Sequence, residues 1–230
     1  MPPTFSLPLA LLIMDNLKAP RKMPANDSTR SYLHTILSTN VEDRRSKTYI
    51  PLARLPSNED DASSVLQSLY EIQKDDLSAF GGEMAFKYVI GELVDNIYEH
   101  SEFSIAFVMA QRYPKLGYLE LAFIDNGITI QGSYKSHGMQ FKPWEAIIQA
   151  MNGLSTKSEE RGWGLRTSIK IFQQGLKGQI LIVSGGGAIH LGGSKIEQYK
   201  LTRNQLMKGT LISLRVPYPS PIVDIYKYIG

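Results

Sequence analysis

Glu92 and Asn96 stand four residues apart in the stretch GELVDNIYEH, residues 91–100. The segment around them, MAFKYVIGELVDNIYEH, has helical periodicity. At about 100° per residue, Phe86, Val89, Ile90, Leu93 and Ile97 form one apolar stripe. Glu92 and Asn96 lie one turn apart and flank that stripe on the side of Val89. A half-desolvated carboxylate at such a boundary can take a proton from a water next to a phosphate. A neutral amide oxygen one turn away suits Mg2+, a hard cation that takes oxygen ligands and retains water. A hydrogen-bonded helix edge at the surface accounts for the pair as well, so the downstream residues decide.

Downstream, LAFIDNG runs as a strand into Asp125, Asn126 and Gly127. A carboxylate at a strand end can accept from an exocyclic amine. Adenine offers that amine, whereas guanine has a carbonyl in its place. Gly127 leaves room for a ring to approach the backbone. Taken alone, this tripeptide is also a common turn. The stretch STKSEERGWGLRTSIK, residues 155–170, sets Gly162 and Gly164 before Leu165 and an amphipathic run. Glycines ahead of a helix leave backbone amides open to an anion. Thr156, Lys157 and Arg161 add donors and positive charge. Gly209 and Thr210 open a further strand, where the hydroxyl can meet a base or a water, or serve only as a strand threonine.

These four segments, ELVDN at 92–96, DNG at 125–127, RGWGL at 161–165 and GT at 209–210, resemble in order and spacing the GHKL superfamily. That superfamily holds the gyrase, Hsp90, histidine-kinase and MutL type of ATP-binding domain, with the Bergerat fold. The resemblance covers roughly residues 80–217 and implies ATP between a helix layer and a lid at about 128–161. It implies that Asn96 coordinates Mg2+, that Glu92 is the general base, and that Asp125 holds the adenine amine with Gly127 beside the ring. Gly162 and Gly164 would cradle the phosphates with Thr156, Lys157, Arg161 and Leu165 around them, and Thr210 would support the adenine end. His100 matches a position often held by His in the kinase-like and anti-sigma-like members. One departure stands out: the usual pattern is Asp-x-Gly-x-Gly, and the second glycine is Thr129 here. A β-branched residue disfavours a positive φ, so the lid is expected to start differently.

The function expected from the resemblance is a Mg-ATP-binding domain, a slow ATPase or nucleotide-dependent switch acting on a partner protein. The alternative is a stand-alone protein kinase or anti-sigma-like regulator that phosphorylates a partner Ser or His. A binding module without turnover is the third reading.

The elements that must position these residues read as a mixture. TYIPLARLP (48–56) predicts an edge strand, since Pro51 is not tolerated in a central one. SNEDDASSVLQSLYEIQK predicts a capped amphipathic helix through Val65, Leu66, Leu69 and Ile72. FSIAFVMAQ and GYLELAFID predict a hairpin turned by RYPKLG. Residues 127–162 read as mostly irregular, with one short helix, PWEAIIQAM. GLRTSIKIFQQG repeats Leu165, Ile169, Phe172 and Leu176 on one helical face. QILIVS, IEQYKL and TLISLRVP read as strands, GGGAIHLGG as a turn region, and SPIVDIYKYIG as a short terminal helix. The predicted class is α+β: a two-layer sandwich of a mixed, mostly antiparallel sheet with helices on one face. Residues 1–46 read as an N-terminal extension and 47–230 as the ATP-binding domain.

Composition closes off other classes. The 230 residues carry a net charge of +3, and 43% are hydrophobic, so no nucleic-acid signal arises. Cysteine is absent, which excludes disulfides, thiolate metal sites and a cysteine nucleophile. The four histidines, 34, 100, 137 and 190, lack paired zinc spacing. His34 lacks the acidic and proline-containing surroundings of a phosphoacceptor histidine. No Walker A loop, dinucleotide fingerprint or nucleophile elbow is present. The run LPLALLIM, residues 7–14, is too short to span a bilayer and reads as a buried strand or partner-binding segment. A cytoplasmic protein is expected, and a homodimer is compatible with the sequence.

Overall fold

The computed structural model describes residues 2–15, 25–27, 30–31, 49–72, 82–156, 164–218 and 221–228. His34 lies outside them. Six α-helices occur among the described residues: α1 (Pro3–Asp15), α2 (Ser63–Glu71), α3 (Glu83–His100), α4 (Ile130–Ser136), α5 (Pro143–Met151) and α6 (Gly164–Lys170). Seven strands accompany them: β1 (Tyr49–Arg54), β2 (Ala106–Tyr113), β3 (Tyr118–Asp125), β4 (Gln179–Gly185), β5 (Gly187–Gly192), β6 (Lys195–Lys200) and β7 (Met207–Pro217). The strands form one sheet in the order β1-β2-β3-β7-β4-β5-β6. Every neighbouring pair is antiparallel, so the mostly antiparallel sheet expected from the sequence is antiparallel throughout. The α+β class holds, and the sheet with α2 to α6 on one face forms the expected two-layer sandwich; α1 departs from it by covering the other face.

The main core lies between one sheet face and α2 to α6. The α3 stripe of Phe86, Val89, Ile90, Leu93 and Ile97 is buried there as its periodicity predicts, against Val108, Leu121, Phe123 and Leu214. Leu69, Ile169, Phe172 and Leu176 join the same core. After Lys170 the last helix widens into a π turn, Ile171–Gly175. The hairpin of β2 and β3 closes through a 3-10 turn at Pro114–Leu116 and Gly117, where RYPKLG predicts it. β1 is an edge strand, which accommodates Pro51.

Four expectations need correction. The N-terminal apolar run is a helix, not a strand, and it packs on the other sheet face. Leu7, Ala10 and Leu11 of α1 meet Leu52, Phe107, Met109, Ala122, Ile124 and Leu211. Proline at its first position is permitted. Pro8 breaks a helical hydrogen bond, a cost offset by burial on the sheet. The stretch 127–162 holds a second helix, α4. The turn region GGGAIHLGG contains β5, whose Ala188, Ile189 and Leu191 are buried. The tail forms only a 3-10 turn, Ile225–Lys227. Among the described residues, no helix is long and apolar enough to cross a membrane.

Candidate functional site

A cleft of about 430 Å3 opens between α3, the end of β3, α4, the turn after α5, the start of α6 and β7. Glu92, Asn96, His100, Asp125, Thr156, Gly164, Leu165 and Thr210 all line it, although they come from four distant parts of the chain. Leu93, Ile97, Phe123, Ile128, Ile130 and Ile212 supply apolar surface. Lys157, Arg161 and Gly162 lie outside the described residues. Among the described residues that line the cleft, none is a lysine or an arginine.

Asp125 ends β3 and is 2% exposed. Its Oδ1 accepts from the Gly127 amide at 2.9 Å, and the Thr210 backbone donates to the same carboxylate. Burial nevertheless dominates and pushes its pKa up to about 7 against these two donors. Gly209, at φ +76°, brings β7 so close to Asp125 that a methyl there would overlap the Asp125 carbonyl oxygen. Gly127 does not line the cleft. It backs Asp125, and its Cα packs on the Ser101 carbonyl where no side chain fits.

Asn126 fixes this arrangement from behind. Its Oδ1 accepts from the amides of Ser104 at 3.1 Å and Ile105 at 2.9 Å. The Ile128 amide donates to Ser101 O at 2.6 Å. The exit of α3 and the exit of β3 are therefore laced together, which sets the distance between Glu92 and Asp125.

On α3, Asn96 Nδ2 donates to the Glu92 carbonyl, leaving Oδ1 for another partner. The Glu92 carboxyl has a raised pKa: burial is the main cause, a hydrogen bond from Tyr88 opposes it, and Asp95 and Glu99 add repulsion. Burial likewise raises Asp95, with Glu59 and Glu99 contributing. Glu92 Oε2 occupies the space beside Gly164 that a side chain would fill. So Gly164 is small because a carboxylate lies against it.

Thr129 resolves the departure from the glycine pattern. It is the N-cap of α4 at φ −74° and ψ 161°, and its Oγ1 accepts from the Gly132 amide at 3.0 Å. No positive φ is needed there. Ser184, at the end of β4, accepts from the Ile130 amide at 2.9 Å and lies 3.0 Å from Thr210 Oγ1. The Tyr134 hydroxyl donates to the Leu154 carbonyl, tying α4 to the turn beyond α5.

Sequence reasoning missed Tyr88, Asn126 in its lacing role, Tyr134 and Ser184. Tyr88 had a signal in its spacing, one turn before Glu92; the other three act across strands and helices and carry none. No family model, curated protein or solved structure matches the chain.

Proposed function

We propose that this cleft binds Mg-ATP in the manner of GHKL domains, and that the protein is a slow ATPase or nucleotide-dependent switch acting on a partner protein. The observation that carries the reading is convergence. Glu92, Asn96, Asp125, Gly164 and Thr210 belong to four segments far apart in sequence, and they surround one cleft.

Asp125 accepts the exocyclic amine of adenine, with Thr210 and Ser184 beside it. The apolar residues Ile97, Ile128 and Ile212 flank the ring. The phosphates lie toward Glu92, Asn96 and Gly164. Glu92 takes the proton of a water as its oxygen attacks the terminal phosphorus and the bond to the leaving diphosphate breaks. Its raised proton affinity suits that task.

The residues fit Mg2+ of the kind held mainly by phosphate. Asn96 offers one free amide oxygen, and no group of three or more His, Cys, Asp or Glu that could hold a metal occurs among the described residues. Mg2+ characteristically takes few protein ligands. When bound it would neutralise phosphate charge. A cytoplasmic setting belongs to the same proposal.

Calorimetry with ATP, ADP and GTP, each with and without magnesium, tests the reading. Magnesium-dependent ATP binding, no GTP binding and a large loss in Asp125→Asn are the expected results. An Asp125→Asn protein that binds ATP as tightly as the parent overturns it. Labelled ATP then separates the outcomes: free phosphate lost in Glu92→Gln marks an ATPase, and label appearing only on an added protein marks a kinase.

A further inference from the structure

We propose that Ser184 is a positioning residue: held by the first amide of α4, it turns the Thr210 hydroxyl into a donor toward the ring nitrogen beside the adenine amine. This rests on the ATP-binding reading above and deepens it by naming what sets the base specificity of the same cleft.

Ser184 and Thr210 stand directly opposite in the β4–β7 register, so their side chains share one sheet face. Thr210 lines the cleft, whereas Ser184 is 1% exposed. Their hydroxyl oxygens are 3.0 Å apart. The Ile130 amide, which opens α4, donates to Ser184 Oγ at 2.9 Å. The β4–β7 register shifts just after Ser184, and the Thr129 methyl sits against the space a side chain at Gly185 would take. The start of α4 thus rests on the end of β4 through two adjacent contacts. The Thr129 hydroxyl serves the Gly132 amide of its own helix, and the Ile130 amide is left to a strand side chain.

One proton settles the direction of the hydroxyl pair. A hydroxyl has one proton to give and two lone pairs. An amide N–H only donates, so Ile130 takes one Ser184 lone pair. Two acceptors stand within reach of the Ser184 proton: Thr210 Oγ1 at 3.0 Å and the Gly209 carbonyl at 3.4 Å. O–H···O bonds span about 2.5–3.0 Å, so the Thr210 oxygen takes the proton. The Thr210 proton is then free to donate into the cleft. Gly209, its chain neighbour, lies against the Asp125 carboxylate. The cleft therefore presents an acceptor, Asp125, beside a donor, Thr210. Adenine carries the complement, a donor amine next to an acceptor ring nitrogen. Guanine carries a carbonyl and an N–H at the same two places and is mismatched at both. A buried serine whose only task was to satisfy an amide would leave base recognition untouched.

Calorimetry on the full-length protein compares ATP with 1-deaza-ATP, in which C–H replaces that ring nitrogen. The proteins are the parent, Ser184→Ala, Thr210→Val and the double variant. The parent is expected to bind the analogue about tenfold more weakly than ATP, the worth of one hydrogen bond. Without Ser184 the Thr210 hydroxyl spreads over about three staggered orientations, so Ser184→Ala should narrow the ratio to about threefold. Thr210→Val should abolish it, and adding Ser184→Ala to Thr210→Val should change it no further. A Ser184→Ala ratio equal to that of the parent overturns the assignment. So does a Ser184→Ala effect of the same size with and without Thr210. Equal affinity of the parent for ATP and 1-deaza-ATP overturns it too, whatever the variants do. A parent that binds neither nucleotide overturns the ATP-binding reading itself, a result distinct from these.

Discussion

The Glu92 carboxylate lies against the Cα of Gly164, filling the space a side chain at 164 would take. That contact joins α3 to α6 at the end of the cleft where a phosphate chain would lie. Gly164→Ala forces the carboxylate, the far end of a flexible side chain, to move. The fold can absorb this, since the group that must give is the end of a flexible side chain and not backbone. The melting temperature is therefore expected to stay close to that of the parent. Hydrolysis is expected to fall by about tenfold or more, since small misplacements of a reacting group are costly. Full activity in a folded Gly164→Ala protein would separate Glu92 from the chemistry.

Asp125 predicts an unusual dependence of stability on pH. Its folded pKa of about 7 lies above the unfolded value of about 3.9. Between those values the folded protein binds more protons at this site than the unfolded chain does. Its contribution to stability is therefore complete below about pH 4 and declines as pH rises to about 7. Asp125→Asn removes this titration. Urea unfolding at pH 5 and pH 8 should show the parent losing stability at the higher pH relative to Asp125→Asn. The variant should be the more stable of the two at pH 8. Equal pH dependence in both proteins would contradict a buried, raised Asp125. If adenine donates to the ionised carboxylate as proposed, ATP affinity should also weaken as pH falls below about 7.

Much of this was legible in the chain because it is written in local periodicity. The α3 stripe, the β2–β3 hairpin and the positions of Glu92, Asn96 and Asp125 follow from spacing. The second sheet face was missed for a physical reason. One-sided burial predicts alternation, yet Ala106 to Ala110 and Leu119 to Asp125 are buried without a break. Continuous apolar runs mark strands covered on both faces, and α1 is that second cover. α4 was missed because IQGSYKS lacks an apolar stripe; it forms around Tyr134 and the Thr129 cap. Gly187 sits in a strand because α5 crosses it so closely that a Cβ would overlap Trp144. No window of sequence carries such a contact.

The cap at Thr129 separates local stability from nucleotide binding. Its hydroxyl satisfies one free amide at the start of α4. Thr129→Ala should cost about 1 kcal/mol, and Thr129→Gly only a few tenths. Chemical denaturation measures both. Neither variant should change ATP affinity much, because the hydroxyl is engaged with its own helix. A large gain in affinity in Thr129→Gly would mean that the glycine of the family pattern serves the ligand, and that Thr129 blocks it.

The last relationship concerns the far side of the sheet, where Glu120 is 1% exposed. Its carboxylate accepts from the Thr4 amide at 3.1 Å, from the Thr4 hydroxyl, and from Arg215 at 2.9 Å. A β3 side chain therefore caps the N-terminus of α1, where negative charge is favoured by the helix dipole. Loss of the cap would leave the part-buried Thr4 amide without this acceptor and the Arg215 guanidinium without its carboxylate, while the Thr4 hydroxyl keeps Ser213 at 2.6 Å. Glu120→Ala is expected to cost about 2–3 kcal/mol. Thr4→Ala removes only the hydroxyl and should cost about 1 kcal/mol. In both variants α1 should be cleaved faster by a protease, since its attachment is weakened while the main core is untouched. Nucleotide binding should be unaffected, because the cleft lies on the opposite face. Equal cleavage rates in parent and Glu120→Ala would show that the apolar contacts of Leu7, Ala10 and Leu11 hold α1 without the polar anchor.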